Sequence, residues 1–130
     1  PFNGVYEPKN YLYKMLKYDN LISKQNSITC VDDLVCFINK FIRLPERPIS
    51  GVFNVVNKGS VDGAEVVDML RHYGVENPNW KLVTIKEAGF RVARSNCLLS
   101  TKKIEDLGIA LPNVKESLNK SIYEFSKNAQ

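Results

Sequence analysis

Gly51-Val52-Phe53-Asn54-Val55-Val56 is the stretch that decides the fold class. It is almost continuously apolar and rich in β-branched valine. A strand covered on both faces in an α/β sheet reads this way, whereas a half-exposed strand alternates apolar and polar residues. Downstream, Asn57-Lys58-Gly59-Ser60 is a turn. A helix is expected over 62–73, with Val66, Val67, Met69, Leu70 and Tyr73 facing inward and Gly74 as its stop. Upstream, Asp32 and Asp33 open another helix, because early acids favour a helix N-terminus. Its apolar face is expected to hold Val31, Leu34, Val35, Ile38, Phe41 and Ile42, and Pro45 and Pro48 bracket the loop that follows.

The flanks repeat this alternation of helix and strand. Tyr11, Leu12, Met15, Leu16 and Tyr18 have helical spacing over 10–18, with Pro8 just ahead, where a helix start tolerates it. Ser27-Ile28-Thr29-Cys30-Val31 is a short candidate strand, and 80–84 alternates like another. A helical turn or two is expected over 86–92, an extended connection over 94–100, and a short helix over 102–107 closed by Gly108. Val114, Leu118, Ile122 and Phe125 mark a terminal helix over 114–125. Helices alternating with two or three short strands give an α/β or α+β architecture. The strands are too few for a complete doubly wound sheet.

The chain has 130 residues, 44% of them hydrophobic and 25% charged, which suits one domain with a real core and excludes disorder. No apolar run approaches the roughly 20 residues of a membrane span, and no signal peptide is recognisable. The chain starts Pro1-Phe2-Asn3 without methionine, so a piece of a longer protein is expected. The net charge of +4 is spread in ones and twos, the longest cluster being Lys102-Lys103. That is a solvated basic surface, not the concentrated patch of a nucleic-acid binder. A small anion site, needing one or two placed cations, is compatible with it. The three cysteines Cys30, Cys36 and Cys97 are odd in number and form no C-x-x-C pair. They are expected to be buried reduced thiols in a cytoplasmic protein, and neither a disulfide framework nor a metal site is expected.

Chemistry-bearing motifs are sparse. There is no G-x-G-x-x-G turn and no P-loop. His72, the single histidine, sits late in a helix where a cation is favoured, a structural placement. Tyr13 with Lys17 and Tyr123 with Lys127 satisfy Y-x-x-x-K, and coincidence is the better account of both. The Asn119-Lys120-Ser121 glycosylation match lies in a helical pattern and is discounted. Arg91-Val92-Ala93-Arg94-Ser95-Asn96 places guanidinium groups in apolar chain outside a clean helix. Such a group suits a phosphate or a sugar hydroxyl, and it equally suits an arginine that ties down a loop.

Four stretches together resemble the C-terminal halves of nucleotide-sugar reductases of the extended short-chain dehydrogenase type. Asn10-Tyr11-Leu12-Tyr13-Lys14-Met15-Leu16 is similar to N-F-[VIL]-x-K-[MIL]. Asn26-Ser27-Ile28-Thr29 with Asp32-Asp33-Leu34 is similar to N-S-M-T-x-x-D-[ED]-L of the UDP-4-keto-6-deoxyglucose 3,5-epimerase/4-reductases. The dTDP-4-dehydrorhamnose reductases carry a related segment there. Residues 51–61 with Glu65 resemble G-[IT]-[WF]-N-F-T-N-P-G-x-V-S-x-x-E. Arg94-Ser95-Asn96-Cys97-Leu98-Leu99, with Lys103-Ile104 and Lys115-Glu116-Ser117-Leu118, resembles R-S-N-N-x-L-D followed by K-L and I-K-E-S-L. Lys58, Asp62, Cys97 and Ser100 depart from the pattern, where proline, serine, asparagine and aspartate are usual.

The resemblance implies an α/β fold that is the C-terminal portion of a Rossmann-type nucleotide-sugar reductase, helices with a few short mixed strands. It implies that 1–130 is the substrate-binding domain, and that an N-terminal Rossmann half, absent from this chain, holds NAD(P) and the catalytic Ser/Thr and Tyr-x-x-x-Lys group. Tyr13 and Lys17 then fall on the substrate-domain helix. No catalytic, cofactor-binding or metal residue is assigned to the chain itself. Asn10 would be the helix-start amide that reaches the nucleotide sugar. Arg94 would be the cation near the diphosphate or base, with Ser95 and Asn96 shaping that loop. Thr29 and Asp33 read as structural. The implied reaction is 4-keto reduction, with 3,5-epimerisation in bifunctional members, of a UDP- or dTDP-4-keto-6-deoxyhexose to a rhamnose-type sugar. A homodimer is an expected assembly, and neither nucleic acid nor membrane is an expected partner. The competing readings are a stand-alone nucleotide-sugar or protein-interaction module without catalysis, and another nucleotide-sugar epimerase/dehydratase.

Overall fold

A computed structural model describes residues 1–45, 50–91 and 96–130. Five helices and two strands follow one another as α1 (Tyr11–Lys17), β1 (Asn20–Ile22), α2 (Val31–Ile42), α3 (Gly63–His72), β2 (Lys81–Val83), α4 (Lys102–Asp106) and α5 (Val114–Asn128). β1 and β2 pair in parallel, Leu21 opposite Leu82. The α/β reading therefore holds, with a smaller sheet than a nucleotide-binding domain carries.

Local chemistry accounts for the helix ends. The Asn10 side chain accepts from the Leu12 N–H at α1, and Asn113 accepts from Lys115 at α5. At α3, Asp62 and Glu65 form a reciprocal capping box. Gly74, at φ +74°, closes α3: its N–H bonds the Arg71 carbonyl, and the Val75 N–H reaches back to Leu70. Gly108 does the same for α4 through Glu105 and Ile104.

The main core gathers α1, α3 and α5 around Leu12, Val66, Leu70, Leu118, Ile122 and Phe125, with Phe2 inserted from the N-terminal segment. The helical spacing of α5 is realised fully, since Val114, Leu118, Ile122 and Phe125 are all buried. A smaller cluster joins Phe37 of α2 to Ile104, Ile109 and Leu111, with Phe41, Phe53 and Val55 packed against it.

Several expectations are corrected. Residues 52–56, after a bend at Gly51, form no strand, and among the described residues no backbone–backbone hydrogen bond touches them. A strand is defined by its ladder, and apolar composition cannot supply the partner. The expected strand at 27–31 is replaced by isolated bridges, Phe2 to Cys30 in parallel and Asn26 to Val61 antiparallel. β1 went unread because three residues carry no period. Of the helical turn or two expected over 86–92, one hydrogen-bonded turn is present, with the Ala88 N–H on the Thr84 carbonyl and Gly89 at its end, and Val92 lies outside the described residues. On α2, Val35, Ile38 and Ile42 face out, and the unexpected Phe37 faces in. Cys30 is buried as expected, whereas Cys36 and Cys97 are exposed. The expected loop position Pro48 lies outside the described residues. Among the described residues no helix is long and apolar enough to cross a membrane.

Candidate functional site

Three of the four quoted stretches converge. Residues 96–100 run as an extended arm against 26–27. The Cys97 N–H donates to Asn26 Oδ1 at 2.8 Å, and the Ser27 N–H donates to the Cys97 carbonyl at 2.7 Å. The Leu99 N–H donates to Ser27 Oγ at 2.9 Å. Asn54 Nδ2 then donates to the Ser100 carbonyl at 3.1 Å, joining the same arm to 51–57. Asn96 is exposed at the head of the arm.

Beneath it lies a buried polar hub on Asn57. Its side chain is fully enclosed. Oδ1 accepts from the Cys30 N–H at 2.7 Å. Nδ2 faces Asp33 Oδ2 at 2.7 Å, the Pro112 carbonyl at 3.1 Å and Ser117 Oγ at 3.1 Å. Ser117 Oγ in turn donates to the same Asp33 oxygen. A backbone donor on one side and a backbone carbonyl on the other fix which end of the amide is which. Thr29 Oγ1 donates to the Val55 carbonyl at 3.2 Å. Thr29 and Asp33 are thus structural, as their sequence context implied.

Two residues before Ser117 on α5, Lys115 Nζ pairs with Glu65 Oε1 at 2.9 Å. Gln25 Nε2 bonds the other Glu65 oxygen, and Gln25 Oε1 accepts from Ser60. Lys115, the Asp62 N–H and Gln25 hold the Glu65 carboxyl below its usual range. Burial, with Asp62 adding to it, pushes the Tyr11 phenol up to about 12. Burial also raises the Cys30 thiol.

Asn10 is buried at the start of α1. Its amide nitrogen lies within bonding distance of the Asn3 carbonyl (2.8 Å), Asn3 Oδ1 (3.0 Å) and the Val5 carbonyl (2.6 Å), while Oδ1 caps Leu12. Its amide nitrogen is engaged in shaping turn 3–5 and its amide oxygen in starting α1. Arg94 and Ser95 lie outside the described residues. Among the described residues no hydrogen bond joins Asn10 to Asn96.

The other motifs resolve into packing. Lys17 Nζ stands 5.4 Å over the Tyr13 ring, and Lys127 Nζ stands 4.1 Å over Tyr123. These are cation–π pairs one helical turn apart. His72 ends α3 with its ring edge-on to Tyr73. Among the described residues no group of three His, Cys, Asp or Glu could hold a metal, and every buried side-chain polar atom has a partner. What the cluster offers is hydrogen bonding by Asn and Ser on a fixed arm. Asn26, Ser27 and Asn57 build it, and Asn57 in particular reads in sequence as an ordinary turn residue.

No family model matches the chain. Its relatives are rhamnose-synthesis enzymes of the nucleotide-sugar epimerase and reductase class. The bifunctional dTDP-4-dehydrorhamnose 3,5-epimerase/dTDP-4-dehydrorhamnose reductase of Arabidopsis thaliana is 30% identical over 125 residues, 95% of this chain and 40% of that enzyme. The L780 UDP-rhamnose synthase of Acanthamoeba polyphaga mimivirus superimposes with a TM-score of 0.81 at 25% identity, over 95% of this chain and 43% of that one. The dTDP-4-dehydrorhamnose reductase of Bacillus anthracis, solved in complex with NADP, shares the fold with a TM-score of 0.67 at 22% identity, over 89% of this chain and 42% of its own. The chain thus spans less than half the length of these relatives and corresponds to their C-terminal part.

Proposed function

We propose that this chain is the substrate-binding C-terminal domain of an NAD(P)-dependent nucleotide-sugar 4-reductase/3,5-epimerase that makes a rhamnose-type 6-deoxyhexose. The observation that carries the reading is the convergence of 26–33, 51–65 and 96–100 into one hydrogen-bonded cluster, in a chain whose likeness to a UDP-rhamnose synthase covers 95% of its length. The substrate is a UDP- or dTDP-4-keto-6-deoxyhexose. Arg94 binds its diphosphate or base, and Ser95 and Asn96 shape the loop around it. Asn10 holds turn 3–5 on the sugar-nucleotide side. NAD(P) and the proton-donating tyrosine belong to a Rossmann half elsewhere in the polypeptide, a reading supported by relatives more than twice the length of the matched region. Free thiols at exposed Cys36 and Cys97 fit the reducing cytoplasm.

Titration calorimetry with UDP- and dTDP-sugars tests the assignment. Arg94→Ala is expected to weaken nucleotide-sugar binding by about 1.5–3 kcal/mol, the range for a charge-assisted hydrogen bond. Unchanged affinity removes Arg94 from the site. Turnover of a 4-keto-6-deoxy sugar nucleotide with NADPH by the 130-residue chain alone would refute the division of labour.

A further inference from the structure

Among the described residues, Lys24 is the one lysine or arginine that is not exposed; it is half-buried, while every other cationic side chain stands in solvent. Lysine is seldom withdrawn from water unless it is paired, because an unpaired charge in that setting carries a desolvation cost. The Lys24 ammonium nevertheless has neither an ion-pair nor a hydrogen-bond partner among the described residues. Its backbone is committed separately. The N–H donates to the Ile22 carbonyl at 3.2 Å, and the carbonyl accepts from Asn26 Nδ2 at 3.2 Å.

The side chains that follow it are all engaged. Gln25 lies between Glu65 and Ser60, and Asn26 and Ser27 hold the arm at Cys97 and Leu99. Glu65, the carboxylate that this loop reaches, is already taken, Oε1 by Lys115 and Oε2 by Gln25 and the Asp62 N–H. The loop is thus fixed from several sides and leaves one cation without a counter-charge. It is bonded at 2.7 and 2.8 Å to Cys97, the neighbour of exposed Asn96. We propose that Lys24 binds the diphosphate of the nucleotide sugar, its ammonium donating to a non-bridging phosphate oxygen. The occupant is an anion because a counter-charge is what the ammonium lacks, and a diphosphate supplies both the charge and acceptor oxygens in charge-assisted geometry. Lys24 lies outside the four stretches that carry the family resemblance, and its burial is what singles it out. The choice of a nucleotide sugar as the bearer of that diphosphate rests on the proposed function.

Titration calorimetry on the complete polypeptide that the gene encodes tests it, with UDP, dTDP, uridine, thymidine and inorganic pyrophosphate as probes. Lys24→Met keeps an unbranched apolar stem and removes the charge, so the melting temperature is expected not to fall. It is expected to weaken UDP or dTDP binding about tenfold or more, as one charge-assisted hydrogen bond would, and to leave the nucleosides unaffected. Lys24→Gln, neutral but polar, is expected to match it, and Lys24→Arg to retain most of the affinity. Equal affinity of the unaltered protein and Lys24→Met for the nucleoside diphosphate would overturn the inference and leave the proposed function standing. A loss shared equally by the nucleosides would mark Lys24 as structural and overturn it too. Pyrophosphate binding that depends on Lys24, with no binding of either nucleoside diphosphate, would keep Lys24 as a diphosphate ligand and refute the proposed function. No binding of any probe would refute both.

Discussion

Asn57 is the residue on which the site's framework converges. It satisfies the N-terminus of α2 through Cys30, the Asp33 carboxylate, the 109–113 loop through Pro112, and α5 through Ser117. Truncation would leave several of these groups unpartnered in a buried place, and each unmade bond costs about 1–3 kcal/mol. Asn57→Ala is therefore expected to lose about 2–4 kcal/mol in urea unfolding, and a loss under about 0.5 kcal/mol, the surface level, would show that the hub is not structural. Sequence reading reached part of this. It took Thr29 and Asp33 as structural, and both make hydrogen bonds that tie 26–33 to the rest of the framework. It missed Asn57, because an asparagine before Lys-Gly-Ser looks like turn chemistry whether its amide points to solvent or inward. It also placed Cys36 and Cys97 inside, since apolar neighbours in sequence do not say which way a short side chain turns.

At the scale of elements, legibility followed periodicity and caps. α5 and α3 were readable because one face of each is buried along its whole length and their ends carry caps. α2 was readable as a helix but not in its facing, because its apolar arc is wider than the core that receives it. Among the short elements, β1 went unread for want of a period, whereas β2 was read from the alternation over 80–84 and α4 from its Gly108 stop. Packing between elements can also reverse a propensity. Gly63 opens α3, and a Cβ there would stand 2.9 Å from the Ile22 carbonyl oxygen at the end of β1. Alanine normally favours a helix by about 1 kcal/mol over glycine. Gly63→Ala is nevertheless expected to destabilise the chain by about 1–2 kcal/mol, an overpacking cost against backbone, and a rise in melting temperature would contradict the close approach of β1 and α3.

The molecule as a whole is two clusters of unequal completeness. The α1–α3–α5 core is closed, while the α2 side presents an open apolar helix face and an unladdered segment. Exposed edges of that kind pair with other chains. The 130-residue chain alone is expected to self-associate as its concentration rises, and light scattering that reports a monomer at high concentration would count against it. By itself the sequence determined the α/β class, the long helices, the glycine stops at 74 and 108 and the likeness to nucleotide-sugar reductases, because these depend on residues close in the chain or on motif order. Only the tertiary structure decided that 51–56 lacks a ladder, that α2 turns part of its apolar arc outward, and that Asn26, Ser27, Asp33, Asn57 and Ser117 meet in one framework. The reason is physical: a hydrogen-bonded partner or a covering surface is a property of two segments distant in sequence, and neither segment encodes where the other will stand.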